Sequence, residues 1–407
     1  MAEVFNENAL VEGKLLKHNS KMFLSFRGCF IIYLNCFIGM GQQVLPIHYQ
    51  CGIVVTVLIN FFVAFVSYYS SWILLHVMRN RRALSFEQSW TKSGIIGSVI
   101  ISVGIIIPSV GFISYYLVSI KQFWSEFIRN IWPDAPRIID DLYVVSLFVI
   151  VFLFFPIIFQ QGLKLLEVYS FFSLALALIY VFLNVYWVIH NAKLYGFDPR
   201  GELVMADMSK PVISCLSYHI GTYTGYMLLF FIVNELESLT FERAKSLVKT
   251  SILSFAFFNS ISGLIGYCIF FNNQGTKYIL SILPRNHIIT RIQYIVFILM
   301  LSFTIPTLID PSRRSALAIV IHMDRYPNFI WWTIGVLVVI LAMYLSNMTG
   351  EYIGFITKLQ NAFSMMMMFV APGILLIFNM KDASKANWIG ILSFIILGIG
   401  FAAFTFL

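Results

Sequence analysis

Apolar runs of membrane length, cut by short polar and charged segments, dominate the chain from about residue 25 onward. A helix that crosses a bilayer needs about 20 mainly apolar residues. With loops and charges as dividers, the pattern predicts eleven spans, near 25–47, 52–78, 95–120, 142–161, 166–189, 211–233, 248–271, 289–310, 328–346, 355–379 and 387–406. The chain therefore reads as an all-α polytopic membrane protein. Residues 1–24 are polar and of mixed charge. They lack an apolar core ahead of a small-residue cleavage site, so a cytosolic tail is expected rather than a signal peptide.

The first span is interrupted. Tyr33 to Ile53 reads YLNCFIGMGQQVLPIHYQCGI, with Gly39 and Gly41 around Met40, then Gln42, Gln43 and Pro46. Glycine weakens a helix interior and proline breaks it. In lipid, each peptide group freed by such a break costs several kcal/mol unless protein, ligand or ion satisfies it. The sixth span has a matching polar, glycine-containing centre, Ser217-Tyr218-His219-Ile220-Gly221-Thr222, with Gly225 shortly after. Breaks in the first helices of two five-span halves predict a 5+5 inverted repeat with helices 1 and 6 discontinuous. The halves are expected at 25–190 and at 191–379, the second including an outer loop, with an appended eleventh helix at 380–407. Gly97, Gly104 and Gly111, seven apart in the third span, read as a helix-packing stripe.

Composition agrees: 59% of residues are hydrophobic and 11% charged, where a soluble domain carries about 25% charged residues. The net charge of +8 is spread over the loops and does not point to nucleic acid. With the N-terminus in the cytosol, 17 of the 27 Lys and Arg fall on the cytosolic side and 10 opposite, as the positive-inside rule requires. Plasma membrane and lysosomal or vacuolar membrane are equally consistent with this topology. The loops near 121–141 and 191–210 are expected to be solvated outer connectors. The sequon Asn347-Met348-Thr349 also falls on the outer side. The five cysteines show no pairing pattern, so buried thiols without a disulfide or metal are expected. Metalloprotease, nucleophile-elbow and phosphate-loop motifs are absent, and no enzyme, cofactor or obligate protein partner is indicated.

Two facing breaks carry a specific chemistry. Free N–H groups at a half-helix N-terminus suit a carboxylate, and free carbonyls suit a cation. An amino acid zwitterion presents both charges. Gly39, Met40, Gly41 and Gln42 are candidates for its carboxylate, and Ser217, Tyr218, His219 and Gly221 for its amino group and side chain. No Asp or Glu lies at the centre of a span. His219 is the ionisable residue nearest a mid-membrane break and the candidate proton carrier, a neutral hydrogen-bonded histidine being the plainer reading. Glu167, Glu235 and Asp310 are expected near cytosolic helix ends, solvated or paired.

Three blocks resemble the amino acid/auxin permease family of the amino acid–polyamine–organocation superfamily. They are Asn35 to Ile53, with G-x-G-x-x-x-L-P; Asn234-Glu235-Leu236 through a basic loop to Gly266-Tyr267; and Phe303-Thr304-Ile305-Pro306 followed by Arg313-Arg314-Ser315-Ala316. Asn361 to Pro372 is more weakly similar to the family's tenth span. The resemblance implies a fold like the bacterial leucine transporter and amino acid transport coupled to sodium or protons. The sodium-coupled neutral amino acid transporters are the most similar members. In them, an asparagine four residues before the first glycine of the break and a threonine two residues before a proline in the eighth span hold sodium. Asn35 and Thr304 stand at those positions here, and hydrogen bonding between helices is their alternative role. Gln42 and Gln43 depart from the family, where small apolar residues are usual, and are expected to line a polar path or alter selectivity. The same fold would also serve an amino acid sensor that binds without moving its ligand.

Overall fold

Backbone in lipid must satisfy its own polar groups, and every regular element in the computed structural model is a helix. It describes residues 23–39, 41–81, 83, 85–90, 94–136, 162–195, 202–207, 212–223, 225–271, 278–320, 328–348, 350–379 and 385–404. Among these, eight helices are long and apolar enough to cross a membrane. The fourth predicted span, near 142–161, and Met40 lie outside the described residues.

The first span is two helices, α1 (Phe26–Asn35) and α2 (Gly41–His48), separated at Cys36–Gly39. Pro46 does not end the helix as the sequence reading expects: it sits inside α2. Pro46 stands in the second turn of α2, where it removes the N–H that would have bonded the Gln42 carbonyl, and the helix ends two residues later at His48. A short turn, Tyr49–Cys51, leads into α3 (Ile53–Arg81). Gly52 bridges them at φ +98°, and any side chain there would collide with the backbone of Ala206. The loop at 202–207 is largely exposed, as expected of an outer connector, and it also pairs its backbone with the start of α3. Ile53 and Val54 donate to the carbonyls of Val204 and Met205 (3.1 and 3.0 Å) and Asp207 donates to Cys51 (2.9 Å), which satisfies the open N–H groups at the start of α3.

The third span continues past its predicted end. After the short α4 (Phe86–Ser89), α5 runs over Gly94–Ile131, so 121–131 is helix rather than loop. Next come α6 (Lys164–Tyr195), then α7 (Val212–Thr222) and α8 (Tyr226–Glu235), which divide the sixth span. The division falls at Tyr223–Gly225, one turn beyond the polar stretch Ser217–Gly221, which is helical. Then follow α9 (Phe241–Phe270) and α10 (Ile279–Ile282). The eighth span is α11 (Ile288–Thr304) and α12 (Pro306–Val320), turning at Ile305. It outruns its predicted end, so Asp310 lies within it, buried and paired with Arg313 (2.9 Å) and Arg314 (2.7 Å). The last elements are α13 (Asn328–Ser346), α14 (Gly350–Met365), a π-turn at Met366–Val370, α15 (Ala371–Asn379) and α16 (Lys385–Phe404).

The heptad glycines of α5 receive α14 and the π-turn after it closely: a Cβ at Gly111 would lie 2.8 Å from Gln360 Oε1, and one at Gly104 2.6 Å from Met367 Sδ. At the N-terminal end, Leu24 donates to Glu235 (2.8 Å) and accepts from Glu237 (2.9 Å). This short backbone clamp ties the start of the first span to the end of the sixth.

Candidate functional site

The two breaks touch on both of their sides. On one side the Tyr218 hydroxyl of α7 donates to the Gly41 carbonyl at the start of α2 (2.7 Å). On the other, Phe37, in the broken stretch after α1, fills the space beside Gly225; a Cβ there would lie 2.5 Å from the ring. Phe37 also stacks on Phe255 (5.1 Å, 27°), which meets Tyr223 edge-on (5.0 Å, 74°). Tyr223 is fixed in turn, donating to Asn60 Oδ1 (2.9 Å), which also accepts from Asn259 (3.0 Å). The breaks are thus held in register by side chains from α3 and α9.

Gly39 needs to be glycine because of a neighbour the sequence did not reveal: an added Cβ would collide with the hydroxyl of Tyr116 on α5. Gly41 is crowded in the same way by Tyr218 (2.8 Å) and Thr222 (3.5 Å). The site therefore presents glycine backbone from the first break, phenol groups from α5 and α7, and the hydroxyl of Thr222, which donates to the His219 carbonyl (2.8 Å). Gly221 faces Asn361 of α14. Ser217 is half-buried on α7. His219 is buried, and among the described residues neither ring nitrogen has a hydrogen-bond partner, unlike the hydrogen-bonded histidine expected from sequence.

Gln42 and Gln43 are buried and hydrogen-bonded within the protein. Gln42 Oε1 accepts from Ser262 of α9. Gln43 donates to the Tyr180 hydroxyl of α6 (2.6 Å) and accepts from the Leu280 N–H of α10 (3.3 Å). Gln42 Oε1 and both polar atoms of Gln43 thus have protein partners.

Asn35 and Thr304 converge on one face of α6. Asn35 Nδ2 donates to Ser170 Oγ (3.3 Å), and three residues on, Ser173 Oγ shares a hydrogen bond with Thr304 Oγ1 (2.7 Å). Asn35 is fully buried, and its Oδ1 has no partner among the described residues. Ser170 and Ser173, Tyr116 and Asn361 were missed by sequence reasoning. Nothing local marks the serines, the tyrosine or the asparagine; only the α5 glycine stripe hinted at close approach by a neighbouring helix.

The family described as transmembrane amino acid transporter protein matches residues 24–407. None of the curated proteins matches the chain. Among 144 matching solved chains is the crystal structure of MhsT in complex with L-phenylalanine, with 13% identity, a TM-score of 0.55, and 95% of this chain and 99% of that one covered. At that identity the likeness shows the fold, the leucine-transporter-like arrangement with helices 1 and 6 broken.

Proposed function

The chain belongs to the transmembrane amino acid transporter family, and on that premise we propose that it carries amino acids across its membrane by alternating access around the two breaks, coupled to sodium. Family and fold point to transport rather than catalysis. The observation that carries the proposal is the pairing of the breaks, Tyr218 to Gly41 on one side and Phe37 to Gly225 on the other. Each of these contacts joins a side chain of one broken helix to a glycine of the other, and no charged side chain is needed there to hold a zwitterion. Gly39 and Gly41 receive the substrate carboxylate with Tyr116, and α7 faces the amino group and side chain.

Sodium enters as a co-transported ion. A small hard cation prefers uncharged or anionic oxygens. Asn35 Oδ1, buried without a partner, is such an oxygen, and the hydroxyls of Ser170, Ser173 and Thr304 stand beside it or one turn away. A buried carbonyl with no partner costs about 1–3 kcal/mol, which an ion would recover. No carboxylate belongs to this group, which favours sodium over a proton. The lysine and arginine distribution supports a cytosolic N-terminal end.

Counterflow in proteoliposomes tests transport itself. Vesicles loaded with unlabelled amino acid and diluted into labelled amino acid transiently accumulate label if the protein exchanges its ligand. Binding without accumulation, under saturating sodium on both sides, would instead establish a sensor.

A further inference from the structure

Two of the five cysteines meet across the broken spans. Cys51 ends the turn after α2 and Cys215 lies in α7, one turn before Tyr218. Both are buried, at 4% and 0% exposed. They pack with Val55 of α3 in a small apolar cluster of their own, and the two thiols stand within hydrogen-bonding reach of each other. The hydroxyl of Thr56, which donates to the His48 carbonyl (3.0 Å), borders the Cys215 thiol as well.

The pair extends the seam between α2 and α7. Nearest the breaks, Tyr218 bonds the Gly41 carbonyl (2.7 Å). Farther along, the Tyr218 ring stacks on His48 (4.2 Å, 27°). Cys51 and Cys215 come next, so the two half-helices are joined at three levels. The other cysteines are placed differently. Cys29 donates to the Ile232 carbonyl (3.6 Å) and Cys36 to the Ile32 carbonyl (3.1 Å). Cys268 packs with Tyr49 and Tyr267 in a separate cluster.

Two thiols in mutual reach have a chemistry that a single buried thiol lacks. A disulfide closes when sulfurs on facing elements come to about 2.05 Å, and it persists on the oxidising, non-cytosolic side of a membrane. The lysine and arginine distribution favours that side for both cysteines. The segment 202–207 lies against Cys51, with Asp207 donating to the Cys51 carbonyl (2.9 Å), and is largely exposed. Its local opening admits a small oxidant.

We propose that Cys51 and Cys215 are a redox pair whose disulfide staples α7 to the turn after α2. This pair is independent of what the protein transports. The bond forms by thiol–disulfide exchange with a small-molecule disulfide such as oxidised glutathione. One cysteine thiolate attacks the glutathione disulfide and releases a first glutathione. The second cysteine attacks the mixed disulfide and releases the other. One S–S bond breaks and one forms, and two electrons and two protons pass from the protein to two reduced glutathiones.

The test equilibrates the purified full chain in glutathione buffers stepped from reduced to oxidised. Incubation continues until the mass no longer changes, so that slow opening of 202–207 does not hide the bond. Denaturation, alkylation with N-ethylmaleimide, intact mass and peptide mapping follow. The reduced protein takes up five alkyl groups, one per cysteine. The oxidised protein takes up two fewer and yields a linked peptide containing Cys51 and Cys215. The double variant Cys51→Ser with Cys215→Ser shows no transition at any ratio. The disulfide raises the unfolding temperature by roughly 5 °C, a shift that dithiothreitol reverses and the double variant lacks. Full alkylation at every ratio overturns the pair. So does a bond joining either residue to Cys268, or glutathione left on one cysteine with no bond closed. Should the double variant not elute as a folded monodisperse protein, the linked wild-type peptide and its loss in dithiothreitol decide the matter.

Discussion

Replacing Asn35 by leucine separates a cation-holding role from a structural one, because the two predict opposite changes. Leucine is close in volume and lacks the amide. The structure gives Asn35 one long hydrogen bond, to Ser170 at 3.3 Å, and leaves its buried Oδ1 unpaired. Loss of the bond costs about 0.5–1.5 kcal/mol, and removal of the unpaired carbonyl returns about 1–3 kcal/mol. Without sodium, Asn35→Leu is therefore as stable as wild type or slightly more so. With sodium the order reverses. An oxygen bonded to a charged partner contributes about 1.5–3 kcal/mol, so its loss weakens sodium binding by about 10- to 150-fold.

A ligand that binds only the folded state raises stability by RT ln(1 + [L]/Kd). Thermal unfolding of the purified protein, with sodium chloride titrated against choline chloride at constant ionic strength, reads both effects. The wild-type transition temperature rises with sodium, and the midpoint of that rise moves to at least about tenfold higher sodium in Asn35→Leu. An unaltered midpoint, or a wild type indifferent to sodium, refutes the reasoning. Loss of stability in choline would show instead that Asn35 is a structural tie between α1 and α6.

Gly39→Ala places a methyl group on the Tyr116 ring and hydroxyl and raises KM for uptake; Gly39→Ala with Tyr116→Ala transports better than the product of the single effects, because removing the ring relieves the collision. Gln43→Leu strands the Leu280 N–H and takes one partner from the Tyr180 hydroxyl and destabilises the protein by about 2–4 kcal/mol, seen as a lower unfolding temperature at every sodium concentration. Leu24→Pro deletes the N–H that bonds Glu235 at 2.8 Å and loosens the clamp by about 1 kcal/mol, which raises the maleimide-labelling rate of the buried Cys29 about fivefold. An unchanged labelling rate would show that the clamp does not restrain the first span.

The first break was legible because Gly-x-Gly in an apolar span has few other physical explanations. Pro46 was misleading, since its effect depends on where the helix begins. The second break was placed one turn early. Its polar residues looked like a disruption, but Thr222 bonds back to His219 and Tyr218 reaches across to Gly41, so α7 continues through them. Asp310 was expected to be solvated or paired; it is buried and paired, and its partners Arg313 and Arg314 stand one turn away in the sequence. Gln42 and Gln43 could not be resolved locally, because Ser262, Tyr180 and Leu280 are brought to them only by the fold. The same holds for Asn361, whose relation to Gly221 exists only once α7 and α14 pack. Sequence patterns of glycine and polarity reveal where backbone is exposed, and long-range packing decides which side chains meet it.

The most direct measurement is concentrative uptake of labelled amino acid into proteoliposomes with sodium and proton gradients imposed separately. The account predicts accumulation above equilibrium with inward sodium at equal pH, and none with a pH gradient in sodium-free medium. Accumulation driven by the pH gradient alone, unchanged in Asn35→Leu, would contradict it.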